Sequence, residues 1–142
     1  MAISVLLVDD EETFVETLAK RLTLRRFDVF KATRADRAFA TLKENPIDVV
    51  LLDVRMPDLD GIEATKTIKG SHPLVEVILL TGHASMEASL EGMKMGAFDY
   101  LLKPVNIDEL VYKIEDAHRK KHLQEEKIRR LAEQADEDGS VE

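Results

Sequence analysis

Apolar positions along this chain follow two alternating patterns. Short unbroken runs, Val5-Leu6-Leu7-Val8, Val49-Val50-Leu51-Leu52 and Val77-Ile78-Leu79-Leu80, show no polar alternation. Such runs suit strands covered on both faces of a sheet. Between them, apolar residues recur every three or four positions, the helical period. Phe14, Val15, Leu18 and Leu22 predict a helix over 11–24, and Ala38, Phe39 and Leu42 one over 35–44, stopped by Asn45-Pro46. Ile62, Ala64, Thr65 and Ile68 predict a helix over 61–69, followed by a 70–73 loop. Another is expected over 85–95, with Gly96 as its cap, and a long last helix opens at Asn106 or Asp108. The strands are expected at 3–8, 27–30, 48–52, 75–80 and 98–102.

Strand–helix alternation at this spacing predicts right-handed β-α-β units and a parallel sheet. Five repeats give a doubly wound α/β domain, (βα)5, that ends near residue 118. Ligands of such domains bind outside the carboxyl ends of the strands, where the strand order reverses. The first strand ends on Asp9-Asp10, the third on Asp53, the fourth on Thr81 and the fifth on Lys103-Pro104. The second supplies only Lys31 and Ala32. Acids, a hydroxyl and an ammonium are therefore expected to meet over one edge.

Two or three carboxylates without His or Cys make an oxygen-rich site. Their mutual repulsion is costly unless a hard cation offsets it, and Mg²⁺ fits such ligands. A metal with Lys103 beside it forms a charge clamp for a phosphoryl group. Thr81 can donate to one phosphoryl oxygen. A carboxylate placed there can itself be the nucleophile and form an acyl phosphate. Asp53, standing singly at the centre, is the candidate. Each feature alone has a plainer reading, as first-turn acids, a turn cap or a solvated strand end. Their joint occurrence at four strand ends favours a site.

Composition narrows the partners. The 142 residues suit one domain with its own core, and the 0 Cys exclude disulfides, thiolate zinc and a cysteine nucleophile. A net charge of -8 argues against direct nucleic-acid binding by a broad basic face. Neither a signal peptide nor a membrane-length apolar run is visible, so a cytoplasmic protein without membrane contact is expected.

Four pieces carry a specific resemblance: Leu7-Val8-Asp9-Asp10-Glu11, Leu51 through Gly61, Leu79-Leu80-Thr81-Gly82-His83, and Ala97 through Pro104. In this order and spacing the chain resembles the receiver domain of two-component response regulators, CheY-like, over roughly residues 2–120. The resemblance implies a flavodoxin-like five-stranded sheet of order 2-1-3-4-5 with an extended C-terminal helix. The chain itself divides into a receiver at 1–118, a helical extension or linker at 119–136 and, from its acidic composition, a disordered tail expected at 137–142. Asp53 resembles the phosphoacceptor, loaded from a sensor histidine kinase in a Mg²⁺-dependent reaction. Asp10, Asp53 and the backbone carbonyl of Arg55 resemble the Mg²⁺ ligands, with Asp9 reaching the metal through water. Thr81 and Lys103 resemble the groups that hold the phosphoryl oxygens. Thr81 and Tyr100 resemble the switch pair that moves the surface of the fourth helix, fifth strand and last helix. The Lys103–Pro104 bond is expected to be cis. Arg55 and His83 flank the phosphoryl position. The resemblance implies a phosphoacceptor signalling domain, part of a phosphorelay, with self-catalysed phosphotransfer and slow autodephosphorylation rather than turnover.

Past the receiver, Ile107, Leu110, Ile114, Ala117, Lys121, Gln124, Ile128, Leu131 and Ala135 trace one seam at alternating three and four spacing. Lys121 and Gln124 interrupt it. A homodimer through this helix, through the switch surface or through both is one reading. A single solvated helix is the other. Two further functions stay open at this point. One is a Mg²⁺-dependent phosphatase of the haloacid-dehalogenase kind, with an aspartyl nucleophile. That family spaces its two aspartates one residue apart, whereas Asp9 and Asp10 are adjacent. The other is an interaction domain independent of phosphate.

Overall fold

The computed structural model describes residues 2–139. Strand β1 (Ser4–Val8) leads to helix α1 (Glu12–Leu24), β2 (Asp28–Ala32) to α2 (Ala35–Glu44), and β3 (Val49–Asp53) through a loop to α3 (Gly61–Ser71). Strand β4 (Glu76–Thr81) precedes a short 3-10 turn (His83–Ser85) and α4 (Met86–Lys94). Strand β5 (Asp99–Leu102) leads to α5 (Ile107–Gly139). All five strands are parallel, in the order β2-β1-β3-β4-β5. This is the doubly wound α/β arrangement expected from the sequence.

Alternate residues of each central strand enter two separate cores. Leu6, Val8, Val50, Leu52, Val77 and Leu79 pack with Ala38 and Leu42 of α2 and Ala64 and Ile68 of α3. Val5, Leu7, Val49, Leu51, Ile78 and Leu80 pack with Val15, Leu18 and Leu22 of α1 and Leu110, Ile114 and Ala117 of α5. Both faces of the sheet are covered, which is why these strands lack polar alternation. Each Val, Leu or Ile among them, fully buried, contributes about 1.5–3 kcal/mol.

Local features refine the expected layout, and α3 continues through Gly70 and Ser71, residues expected in a loop. The second strand starts one residue later and extends through Ala32, paired along its length with β1. Within the loop after β3, Arg55–Met56 and Leu59–Asp60 form a two-residue antiparallel ribbon. Gly61 closes that loop: a Cβ there would lie 2.8 Å from both Cα and O of Val54, so only glycine permits the approach. Asp60 then caps α3, accepting from the N–H of Ile62 at 2.8 Å and of Glu63 at 3.4 Å.

The seam on the last helix divides in two. Leu110, Ile114 and Ala117 are wholly buried in the domain core, and Ile107 packs against it. They are therefore unavailable to a second chain. Lys121 is tied back to the domain by a 2.8 Å ion pair with Asp48. Beside it, Lys120 and Lys69 hold the buried carboxylate of Glu76 at 3.3 and 3.2 Å. Beyond this point Leu123, Ile128 and Leu131 are exposed. The helix continues through 137–139, in the stretch expected to be disordered, while 140–142 lie outside the described residues. Among the described residues, no helix is long and apolar enough to cross a membrane.

Candidate phosphoryl and metal site

Sheet register builds the site. Val8 pairs with Leu52 and Leu52 with Leu79, so Asp9 emerges beside Asp53 at the carboxyl edge. Thr81 pairs with Leu102, and the N–H of Lys103 donates to the carbonyl of Thr81 at 2.7 Å. The Lys103–Pro104 peptide bond is cis.

Asp9 is fully buried, and both its oxygens have partners. Oδ2 accepts from Lys103 Nζ at 2.7 Å, and Oδ1 from the N–H of Glu11 at 3.0 Å. Lys103 Nζ also lies 3.8 Å from Asp53 Oδ1 and 4.5 Å from the centroid of the Phe14 ring. Burial works against the Lys103 charge. The Asp9 hydrogen bond and the charges of Asp53, Asp9 and Glu11 outweigh it and hold the ammonium above its ordinary pKa. Lys103 is thus an internal counter-ion for the acids.

Asp53 is less well served. Its Oδ1 accepts a long 3.4 Å hydrogen bond from the N–H of Arg55. Burial first, and the charges of Asp9 and Asp10 after it, outweigh the pull of Lys103 and the Arg55 N–H and leave its pKa raised from the ordinary 3.8 to about 6. A cation at this carboxylate would offset both its burial and the repulsion from Asp9 and Asp10.

Asp9, Asp10 and Asp53 each offer a carboxylate oxygen, and these lie within 4.8 Å of one another. Asp10 is exposed and opens the cluster to solvent, whereas Asp9 and Asp53 are buried. Three oxygen donors around one point suit a hard divalent cation rather than a soft one, so the donor set fits Mg²⁺.

The sequence-derived candidates fall into three groups. Asp9, Asp10, Asp53 and Lys103 converge, with the main chain of Arg55 against Asp53. Thr81 stands at the neighbouring strand end, but its hydroxyl donates to the carbonyl of Gly82 at 3.1 Å rather than to Asp53. Tyr100 is half-buried on β5 and packs, like Ala88 and Met93 of α4, against the core that α2 and α3 cover. The side chain of His83 lies outside the described residues. The sequence marks Phe14 only as a core residue of the first helix. Its place under Lys103 depends on how α1 leaves Asp9-Asp10, which no spacing signals.

The profile of the response regulator receiver domain matches residues 5–115. The chain belongs to this family. It is 38% identical over 106 residues to the regulatory protein AtoC of Escherichia coli, covering 75% of this chain and 23% of that protein. A putative NtrX-like response regulator of Rickettsia felis is 35% identical over 128 residues, 89% of this chain and 27% of that one. Among solved structures, a response regulator receiver domain protein from Clostridium thermocellum superposes with a TM-score of 0.83 at 35% identity, covering 86% of this chain and 98% of that one. NtrX from Brucella abortus gives a TM-score of 0.83 at 30% identity over 89% of this chain and 29% of that chain. The chain thus spans about a quarter of the length of the curated relatives it matches. Family membership places it in two-component signalling.

Proposed function

We propose that this receiver accepts a phosphoryl group from the phosphohistidine of a sensor histidine kinase onto Asp53, in a Mg²⁺-dependent reaction. The observation that carries this reading is the convergence of Asp9, Asp10 and Asp53 with Lys103 at the carboxyl edge of the sheet. Asp9, Asp10, Asp53 and the backbone carbonyl of Arg55 would hold the metal. When bound, it supplies positive charge against the phosphoryl oxygens.

The chain's own groups do the rest. Above pH 6 the Asp53 carboxylate is mainly ionised and is the nucleophile. An oxygen of Asp53 bonds to phosphorus as the phosphorus–nitrogen bond to histidine breaks, and the electron pair returns to the imidazole. Lys103, already poised between Asp9 and Asp53, neutralises charge on the transferring group. The Thr81 hydroxyl exchanges its Gly82 acceptor for a phosphoryl oxygen. Tyr100 follows by rotating inward, which reshapes the α4-β5-α5 surface.

The domain acts as a switch in the cytoplasm, with no catalytic turnover beyond its own phosphorylation and slow hydrolysis. Relatives named as transcriptional regulatory proteins, of which the chain matches about a quarter, support a place within a longer regulator. Residues 119–136 form the linker and self-associate through the exposed Ile128 and Leu131, with the α4-β5-α5 face as a second contact. The test is intact mass after incubation with acetyl phosphate and Mg²⁺. A gain of one phosphoryl group in the native chain and none in Asp53→Ala is expected. No gain in the native chain, or the same gain in the variant, would end this reading.

A further inference from the structure

The loop that brings Arg55 to Asp53 is fastened at its far end to another helix. The N-cap residue of helix α2, Arg34, makes no side-chain cap hydrogen bond; its guanidinium pairs with Asp36 at 3.2 Å, and the other Asp36 oxygen accepts from the N–H of Arg37 at 2.9 Å, which leaves the N–H of Ala35 to be served from elsewhere. The missing acceptor comes from 23 residues away, where Asp58 Oδ2 accepts from the N–H of Ala35 at 3.0 Å. Asp58 is at the tip of the Arg55–Met56 and Leu59–Asp60 ribbon. The same ribbon ends on Asp60, which caps α3. Met56 and Leu59 pack beneath it against the core that Ala38 and Leu42 share.

Two acids of one short loop therefore cap two different helices, and the apolar residues between them grip the core. Helix N-termini hold unsatisfied N–H groups and a positive dipole end, so a carboxylate is a well-matched anchor. Between these anchors and the end of β3 lies Arg55, whose N–H reaches Asp53.

We propose that Asp58 is a positioning residue for the metal site, acting through the N-terminus of α2 to hold the main chain of Arg55 over Asp53. This rests on the Mg²⁺-dependent reading above and adds a second helix to the site's support. Asp58 acts at a distance from Asp53: its carboxylate is engaged with the N–H of Ala35. Without its anchor, the ribbon can lift, and the carbonyl of Arg55 leaves the position from which it would face a cation. The link runs both ways: a ligand that fixes Arg55 must also tighten the Asp58–Ala35 hydrogen bond.

The test uses the full chain with three substitutions. Asp58→Ala removes the anchor. Asp58→Asn retains a side-chain oxygen able to cap. Asp36→Ala removes a first-turn acid of α2 without touching the ribbon, and so controls for weakening of the helix alone. Mg²⁺ affinity is measured by titration of amide resonances, and hydrogen exchange is followed at Ala35 and Arg55. In the native chain Mg²⁺ should slow exchange at Ala35. Asp58→Ala should weaken Mg²⁺ binding about 3–10-fold, as expected for loss of one capping interaction, and abolish the Mg²⁺ effect on Ala35. Asp58→Asn should restore most of both, and Asp36→Ala should leave affinity within twofold. Native-like Mg²⁺ affinity in Asp58→Ala, or equal losses in Asp58→Ala and Asp36→Ala, would overturn the proposal. Failure of the native chain to bind Mg²⁺ would instead overturn the reading of the site.

Discussion

Replacing Asp53 by Asn should make the metal-free protein more stable, at the cost of its function. Asp53 binds its proton more tightly folded than unfolded, because its pKa rises from 3.8 to about 6 on burial near Asp9. The charge it carries at neutral pH therefore subtracts from stability. That penalty is absent well below pH 4, grows as pH rises from about 4 to about 6, and stays constant above. The rise in pKa corresponds to about 3 kcal/mol at pH 7.5 and about 1 kcal/mol at pH 4.5. The Asp53 side chain is only 12% exposed, so little of this is lost to solvent screening. Asn keeps the shape and an oxygen for the Arg55 N–H but carries no charge. Urea unfolding in EDTA, compared for the two proteins at both pH values, reads the difference directly. Asp53→Asn should gain about 3 kcal/mol at pH 7.5 and distinctly less at pH 4.5. Added Mg²⁺ should shrink the gain by stabilising the native protein alone. A variant less stable than the native chain at pH 7.5, or a gain independent of pH, would refute the reasoning.

Other outcomes follow from the same geometry. Lys103→Met strands the wholly buried Asp9 carboxylate; it should cost about 3 kcal/mol in EDTA, checked by urea unfolding, and abolish phosphorylation, checked by intact mass. Gly61→Ala forces a methyl group against the Val54 main chain at 2.8 Å and should cost about 1–3 kcal/mol, read as a fall in Tm. Ile128→Lys with Leu131→Lys alters exposed positions only; it should leave Tm unchanged but shift a dimer to monomer in sedimentation, and an unchanged mass would remove the helix as the dimer contact.

Much of the fold was legible because its central strands are buried on two faces. Val49 through Leu52 and Val77 through Leu80 leave no polar position, and that excludes a half-exposed sheet. The acids were legible for a related reason: a carboxylate that ends such a run stands at the edge where neighbouring strands end, so register alone brings Asp9 to Asp53. Side-chain direction was not. Thr81 lies at the expected strand end, yet its hydroxyl turns to Gly82, a rotation that costs little and leaves no mark in the sequence. Nor does periodicity reveal the partner of a helical face. Leu110, Ile114 and Ala117 read as one seam with Ile128 and Leu131, although the first three are spent on the sheet. The Asp48–Lys121 and Glu76–Lys120 pairs that mark the division join residues more than forty positions apart. The capping of α2 by Asp58 escaped for the same reason, since caps are sought next to the helix they serve.

Mg²⁺ titration of the native chain, followed residue by residue through its amide resonances, probes the acid cluster most directly. One saturable site is expected, with shifts centred on Asp9, Asp10, Asp53 and Arg55 and lost in Asp53→Asn. Shifts that fail to saturate, centre elsewhere, or persist in that variant would contradict a metal held between the ends of β1 and β3.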